Sequence, residues 1–200
     1  MLLTSNGLSS QNLLNCVSEY SGDMRYAVLV TTASVGYKEI DKHIPRLSEE
    51  LRTLGLSVDF FDFDTDQPEK LLQYDLIEII GGNPFYLLNS IGNSKAEKIL
   101  KTVAKEKFLV GISAGSLVLQ RNIDLIAGYS PEMNEEVGLK DFTGLGLVNI
   151  EILPHYHRFL NVFERFEERA REYEIQNNCF VIRIDDGQGV LAENEKYRII

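Results

Sequence analysis

The sequence has only two cysteines, Cys16 and Cys179, in 200 residues. Two cysteines do not make a disulfide framework, so we expect buried thiols and a cytoplasmic protein. No apolar run approaches the length of a membrane span. Residues 1–6 lack a basic region followed by a long apolar stretch, so we expect no secretory signal. These absences argue against secreted and membrane-spanning classes of protein.

Basic residues are also scarce. The 20 lysines and arginines face 30 aspartates and glutamates, which gives a formal net charge of −10. Nucleic acids and anionic membrane surfaces bind basic surfaces, so we expect neither as a partner. A small acidic substrate stays compatible with this charge, because one buried arginine can outweigh a distant field that salt screens. The composition leaves a monomer and a homodimer equally open.

Strand-like and helix-like segments alternate along the chain. Strands are predicted at residues 1–5, 25–32, 57–63, 75–80, 108–111, 147–153, 178–184, 189–191 and 196–200. Helices are predicted at residues 9–20, 37–54 (starting or kinked near Pro45), 85–104 (broken near 91–94), 113–121 and 158–172. Residues 122–144 are polar and weakly periodic, which indicates a long loop. This order predicts one α/β domain over residues 1–200, with a mostly parallel sheet and helices on both faces.

The motif Gly-x-Ser-x-Gly occurs at residues 111–115, with Ser113 at its centre. The motif also arises by chance, and strand-to-helix turns often use glycine and serine for local reasons. Here an apolar strand precedes the serine and a helical pattern follows it, which is the setting of a nucleophile elbow. Such a turn raises a hydroxyl above the sheet and places the N–H of Ala114 at a helix N-terminus. The motif therefore predicts a serine hydrolase.

Three further segments place polar residues or glycines directly after predicted strands. They are Gly81-Gly82-Asn83, His155-Tyr156-His157 and Asp185-Asp186-Gly187. If these strands and the strand before Ser113 are parallel, all four segments meet at one edge, where sites of such sheets lie. A nucleophile, a base, an acid and oxyanion donors are the groups that acyl transfer requires.

His155 is the preferred general base, because imidazole titrates near neutrality. His157 is the second choice, and His43 is expected near a helix start, remote from this edge. A His-x-His pair could also hold a metal, but zinc needs three or four ligands and no third ligand is indicated. We therefore expect neither a metal nor a cofactor.

The acid that orients the base is open at this point. Asp186 fits the common edge, while Glu132, Glu135 and Glu136 lie in the loop between serine and histidine and could also reach the base. Gly82 would allow the backbone to approach a reacting carbonyl closely, so its N–H and that of Ala114 are the candidate oxyanion donors.

Together these motifs resemble the peptidase E family, the aspartyl dipeptidases and cyanophycinase-like serine peptidases. The resemblance rests on Gly81-Gly82-Asn83, residues 111–115 and Pro154-His155-Tyr156, and extends through residues 142–148 and 184–187. It implies a three-layer sandwich like that of class I glutamine amidotransferases, in which cysteine replaces the serine. It also implies Ser113 as nucleophile, His155 as base, and Gly82 and Ala114 as oxyanion positions. Serine at position 113 favours a peptidase over an amidotransferase.

The chain departs from the family pattern at two places. Some members carry an aspartate in the loop, where this chain has Met133 beside Glu132. Others use an acidic residue that matches Asp186, which favours Asp186 here. An arginine after the histidine is implicated in recognising an N-terminal aspartate, but its matching position is Phe166. Arg165 or Arg169 could replace it after a small shift, so Arg165 is the candidate substrate-binding residue.

The sequence thus predicts a serine peptidase that cleaves short peptides, with N-terminal aspartate specificity as a hypothesis. One alternative is another acyl hydrolase, an esterase or amidase, that uses the same elbow. A second is a small-molecule binder without activity, in which the Ser113 hydroxyl and the His155 imidazole would lie beyond hydrogen-bond reach, more than about 5 Å apart. The order serine, histidine, aspartate differs from the order in α/β-hydrolases, where the histidine comes last.

Overall fold

The structure is a computed structural model that describes residues 1–193 and 196–200. Its strands are β1 (Leu2–Thr4), β2 (Tyr26–Val30), β3 (Ser57–Phe61), β4 (Leu76–Ile79), β5 (Phe108–Ile112), β6 (Glu151–Leu153), β7 (Val181–Arg183), β8 (Gly189–Glu193) and β9 (Lys196–Ile199). Its α-helices are α1 (Gln11–Ser18), α2 (Ile44–Thr53), α3 (Pro84–Asn93), α4 (Glu97–Glu106), α5 (Ala114–Leu119), α6 (Asp124–Tyr129), α7 (Tyr156–Phe159) and α8 (Phe166–Asn177). Short 3₁₀ turns lie at Lys38–Ile40, Pro68–Gln73 and Pro131–Asn134.

Seven strands form the central sheet in the order β3-β2-β4-β5-β1-β8-β9. The first five are parallel, whereas β8 runs antiparallel to β1 and β9 antiparallel to β8. Alternate side chains of β1 enter different cores, with Leu2 packed among residues of α1 and α2 and Leu3 among residues of α3, α4 and α5. Because both faces are covered, the inner strands are almost entirely apolar, with Glu78 of β4 as a buried exception. The predicted three-layer α/β fold with a mostly parallel sheet is confirmed.

A separate layer lies beyond the carboxyl ends of β4 and β5. Strands β6 and β7 form a parallel pair of their own and pack with α6, α7 and α8 around a small core that includes Phe166. The expectation that all four site segments follow strands of one sheet is therefore wrong. Two follow the central sheet and two follow this pair, whose ends nevertheless face the same site.

The segments around this layer also differ from the sequence prediction. Residues 122–144 are not one loop, because they contain α6 and the turn Pro131–Asn134. The single helix predicted at 158–172 is two helices, separated near Arg165, which has a left-handed backbone (φ 53°). The strand predicted from residue 147 begins only at β6, because the N–H groups of Leu145 and Leu147 bond carbonyls of α5 instead of a neighbouring strand.

The start of α2 and the break between α3 and α4 lie where proline and glycine predict them. α2 begins at Ile44 with Pro45 in its first turn, where its missing N–H has no helical partner to lose. The helix predicted at 85–104 is divided into α3 and α4. Within the described ranges, no helix combines the length and apolar character that a membrane span requires.

Candidate active site

Ser113 occupies a sharp turn between β5 and α5. Its backbone has φ 49° and ψ −111°, a conformation that non-glycine residues rarely adopt and that concentrates at functional sites. The turn is held by its neighbours, because the Ser113 N–H donates to the Thr4 carbonyl at 2.9 Å. A Cβ at Gly115 would lie 2.0 Å from the Ile79 carbonyl oxygen, so only glycine lets α5 start this close to β4. The predicted strand–turn–helix around the serine is present.

Gly82 follows β4 and lies beside this turn. It has φ +141°, and a Cβ there would lie 2.1 Å from the Ala33 carbonyl oxygen, so glycine is required. Among the described residues, the N–H groups of Gly82 and Ala114 have no hydrogen-bond partner. Both residues line the same cavity as Ser113. Two free N–H groups beside a hydroxyl are the donors that an oxyanion needs.

His155 follows β6 and begins α7 with a left-handed backbone (φ 58°). Its Nε2 lies 3.1 Å from the Ser113 hydroxyl, and its Nδ1 lies 2.5 Å from Asp186 Oδ1. Because a carboxylate only accepts, Nδ1 carries the proton and Nε2 is left to accept the serine proton. Burial lowers the pKa of His155, although the hydrogen bond and charge of Asp186 oppose this. The imidazole is therefore poised in its neutral form.

Asp186 lies in the turn after β7. Burial opposes its ionisation, but hydrogen bonds from Ser5 and His155 outweigh burial and lower the pKa of the carboxyl. The loop carboxylates do not take this position. Glu132, Glu135 and Glu136 are exposed and do not line the cavity, whereas their neighbour Met133 does. Of the candidate acids, the structure brings Asp186 to the base.

Ser5 is a site residue that the sequence reasoning missed. Its hydroxyl donates to Asp186 Oδ1 at 2.8 Å, accepts the His155 backbone N–H at 2.9 Å and lies 3.1 Å from His155 Nδ1. One hydroxyl thus contacts both the acid and the base. The signal was available, because Ser5 ends the first predicted strand at the same edge as the other polar segments.

A cavity of about 430 Å³ opens beside Ser113. Its lining includes basic side chains: Lys42, His43, Arg46 and Arg158. It also includes apolar side chains: Leu117, Ile126, Met133, Phe159, Phe163 and Phe166. His43 was expected to lie remote from the site. It does precede α2 as predicted, but the start of α2 reaches the cavity.

Arg165, the predicted substrate-binding residue, does not line this cavity. Its guanidinium bonds Glu168 at 2.5 Å and Glu172 at 2.6 Å on the outer side of α8. Arg169 donates to the Gly128 carbonyl and lies over the ring of Tyr129. The structure therefore places Arg165 away from the cavity, whereas Phe166, one residue further on, lines it.

His157, the second choice for the base, is exposed and bonds Asp185 through Nδ1 at 2.5 Å instead of facing Ser113. Across residues 1–193 and 196–200, no three histidine, cysteine, aspartate or glutamate side chains are grouped so that they could hold a metal ion.

A serine on a strained strand-to-helix turn, within hydrogen-bond reach of a neutral imidazole, is the arrangement of the serine hydrolases. The model of peptidase family S51 matches residues 1–200. The chain belongs to this family and is a serine peptidase, as the resemblance to peptidase E implies.

Named relatives agree with this assignment, and a solved structure has the same fold. An uncharacterized peptidase of Pasteurella multocida is 30% identical over 148 residues, which cover 70% of this chain and 69% of the relative. A Drosophila melanogaster protein named "Probable alpha-aspartyl dipeptidase" is 26% identical over 98% of this chain and 83% of its own length. The crystal structure of a "Putative Peptidase E Protein" from Listeria monocytogenes has the same fold, with a TM-score of 0.80 at 24% identity over 100% of this chain and 96% of the other.

Proposed function

We propose that Ser113, His155 and Asp186 form a catalytic triad that hydrolyses short peptides. The observation that carries the proposal is the contact of 3.1 Å between His155 Nε2 and the Ser113 hydroxyl, with Asp186 on the opposite ring nitrogen. This distance lies within the reach that proton transfer requires. It argues against a binder without activity, for which more than about 5 Å was expected.

In the first half of the reaction, Ser113 Oγ attacks the peptide carbonyl carbon while His155 Nε2 accepts its proton. The N–H groups of Gly82 and Ala114 hold the negative oxygen of the tetrahedral intermediate. Asp186 stays ionised and stabilises the imidazolium. When the C–N bond breaks, His155 gives its proton to the leaving amine, and an acyl group remains on Ser113.

In the second half, water attacks the acyl carbon and His155 accepts a proton from it. Collapse of the second tetrahedral intermediate releases the acid and returns the proton to Ser113. Every step uses residues of this chain and water, so the proposal includes no cofactor.

The size of the cavity supports short substrates, because about 430 Å³ lies in the range of small-molecule sites. The name of the Drosophila relative makes dipeptides with an N-terminal aspartate part of the first panel. We propose no nucleic-acid or membrane partner, and a cytoplasmic location is supported by the free thiols of Cys16 and Cys179.

The test is a dipeptide library assay in parallel with short acyl esters and amides, on the wild type and on Ser113→Ala. We expect peptide hydrolysis that Ser113→Ala abolishes. Hydrolysis of esters with no peptide cleavage would instead support the acyl-hydrolase alternative.

The proposal makes a prediction about pH. Catalysis needs neutral His155, so kcat/KM should be retained as the pH rises and lost as it falls through the pKa of this group. Burial lowers that pKa, so the acid limb should lie below pH 6.5, the ordinary value. Because the Asp186 charge raises the pKa, Asp186→Asn should move the limb further down. The matched control is Asp185→Asn, which should leave its midpoint in place; a limb above pH 7 in the wild type would contradict the assignment.

A second prediction concerns Ser5, which orients the imidazole and its carboxylate. Ser5→Ala should lower kcat about tenfold and leave KM nearly unchanged, because a hydrogen bond to a charged group contributes about 1.5 kcal/mol. Steady-state kinetics measures both constants. The control is Ser18→Ala, at an exposed position of α1. If kcat is unchanged in Ser5→Ala, the hydroxyl has no orienting role.

A further inference from the structure

A row of three aromatic rings extends from the His155 imidazole along the cavity. We call these rings, Phe159, Phe163 and Phe166, the aromatic wall. The centroids of His155 and Phe159 are 5.5 Å apart, those of Phe159 and Phe163 are 5.2 Å apart, and those of Phe163 and Phe166 are 5.7 Å apart. All three rings line the cavity that contains Ser113. The apolar surface therefore begins at the reacting group itself.

The remaining residues around the aromatic wall strengthen its apolar character. Leu117, Ile126 and Met133 complete this part of the lining, with the buried Ser130 as its polar member. Phe166 is fixed from behind, because its ring packs at 4.7 Å from that of Tyr129. Rings held in this way form a preformed apolar surface, the usual character of a small-molecule pocket.

One cation, Arg158, contacts the aromatic wall, and it does so at the exposed rim of the cavity. Arg165 bonds glutamates on the outer side of α8, whereas Arg169 bonds the Gly128 carbonyl of α6 and lies over the ring of Tyr129. Arg158 lies over Phe159 with its side chain 60% exposed, at the rim, 3.9 Å from Asp186 Oδ2. The other basic lining residues come from α2 and the loop before it, in a different layer of the fold. A carboxylate placed beyond Phe159, beside Phe163 and Phe166, would lose its hydration without gaining a cationic partner.

We propose that the aromatic wall binds an apolar side chain that flanks the scissile bond, so that the enzyme prefers peptides with leucine, methionine or phenylalanine there over peptides with aspartate. The inference rests on the proposed function and specifies its substrate class. A bound apolar side chain would also displace water from the space beside Ser113 and His155. Because one methylene changes discrimination in an apolar pocket by about 10-fold or more, the preference should be large.

The test is a matched set of dipeptides and tripeptides in which leucine, phenylalanine, alanine, aspartate or lysine occupies either flank of the cleaved bond. We expect kcat/KM for leucine or phenylalanine to exceed that for aspartate at the same flank by at least about tenfold. If aspartate equals or exceeds the apolar residues at both flanks, the inference is overturned.

Variants then locate the preference. Phe163→Ala should lower the ratio of kcat/KM for leucine against alanine peptides by at least about tenfold, and Phe163→Leu should restore part of it. The ratio is insensitive to a loss of folded protein, because both substrates report on the same enzyme. The matched control is Val162→Ala, at an exposed neighbouring position outside the lining. An unchanged ratio in Phe163→Ala would show that the aromatic wall does not determine the side-chain preference.

The two levels of the proposal fail in different ways. If no peptide is cleaved and a serine-reactive phosphonate leaves Ser113 unmodified, the proposed function itself fails. If peptides are cleaved in a manner that Ser113→Ala abolishes, but without an apolar preference, only the inference about the aromatic wall fails.

Discussion

Replacing Ser113 with alanine should lower kcat for peptide hydrolysis by about 10⁴-fold or more, with little change in stability. The large loss follows from the proposal that Ser113 Oγ forms the covalent bond to the acyl carbon, since removal of a nucleophile removes that step. The small effect on stability follows from the contacts of the hydroxyl, whose hydrogen-bond partner among the described residues is His155. Active-site titration and steady-state kinetics measure the loss, and thermal unfolding measures the stability.

A matched control for this substitution is Ser116→Ala, three residues further along α5. Ser116 accepts the Thr4 N–H and donates to the Gly111 carbonyl, so its loss should reduce stability more than it reduces kcat. If Ser113→Ala retains a tenth or more of the wild-type kcat, the hydrolysis does not proceed through an acyl group on Ser113.

Replacing Glu78 with methionine should stabilise the protein, and by more at alkaline pH than at acidic pH. Glu78 lies in β4 with no exposed surface, and within the part of the chain that the structure describes, neither carboxyl oxygen has a hydrogen-bond partner. Burial raises its pKa to about 8, the charge of Glu50 adds to this, and Arg46 opposes it. The native state therefore keeps the Glu78 proton at pH values where the unfolded chain has released it.

The sign of the effect follows from this difference in protonation. Between about pH 4.5 and pH 8 the native state binds more protons than the unfolded state, so the free energy of unfolding falls as the pH rises. Methionine has similar volume and no ionisable group, which removes this dependence. The stability difference between Glu78→Met and the wild type should be about 3 kcal/mol larger at pH 8.5 than at pH 5.5.

Urea unfolding at the two pH values measures this difference. Glu49→Met, at an exposed position of α2, is the control and should show no such dependence on pH. An equal stability difference for Glu78→Met at both pH values would mean that the buried carboxyl titrates normally.

The elements that carry the site were largely predictable, because their signals are local. The glycines at 111 and 115, the apolar run before them and the helical pattern after them define the turn around Ser113. The proline and glycine signals likewise placed α2 and the division between α3 and α4. Ser5 could have been found by the same strand-end rule, but the strand that it ends is short and carries no catalytic motif.

The remaining features depend on tertiary structure. The sequences of β6 and β7 have the same local pattern as strands of the central sheet. No local signal therefore indicates that these two strands form a separate pair. Helix α6 has six residues, too few to establish a helical period. His43 was correctly placed before α2, but its arrival at the cavity depends on how that helix packs. Arg165 is exposed and its neighbour Phe166 is buried. A shift of one residue in the match to the family pattern therefore changes which side chain is assigned to the cavity.

The central claim is that Ser113 is a nucleophile activated by His155. The most direct test is mass spectrometry of the protein after treatment with a serine-reactive phosphonate. The account predicts one adduct on Ser113, absent in Ser113→Ala and strongly slowed in His155→Ala. No adduct on the wild type, an adduct on another serine, or undiminished labelling of Ser113 in His155→Ala would contradict it.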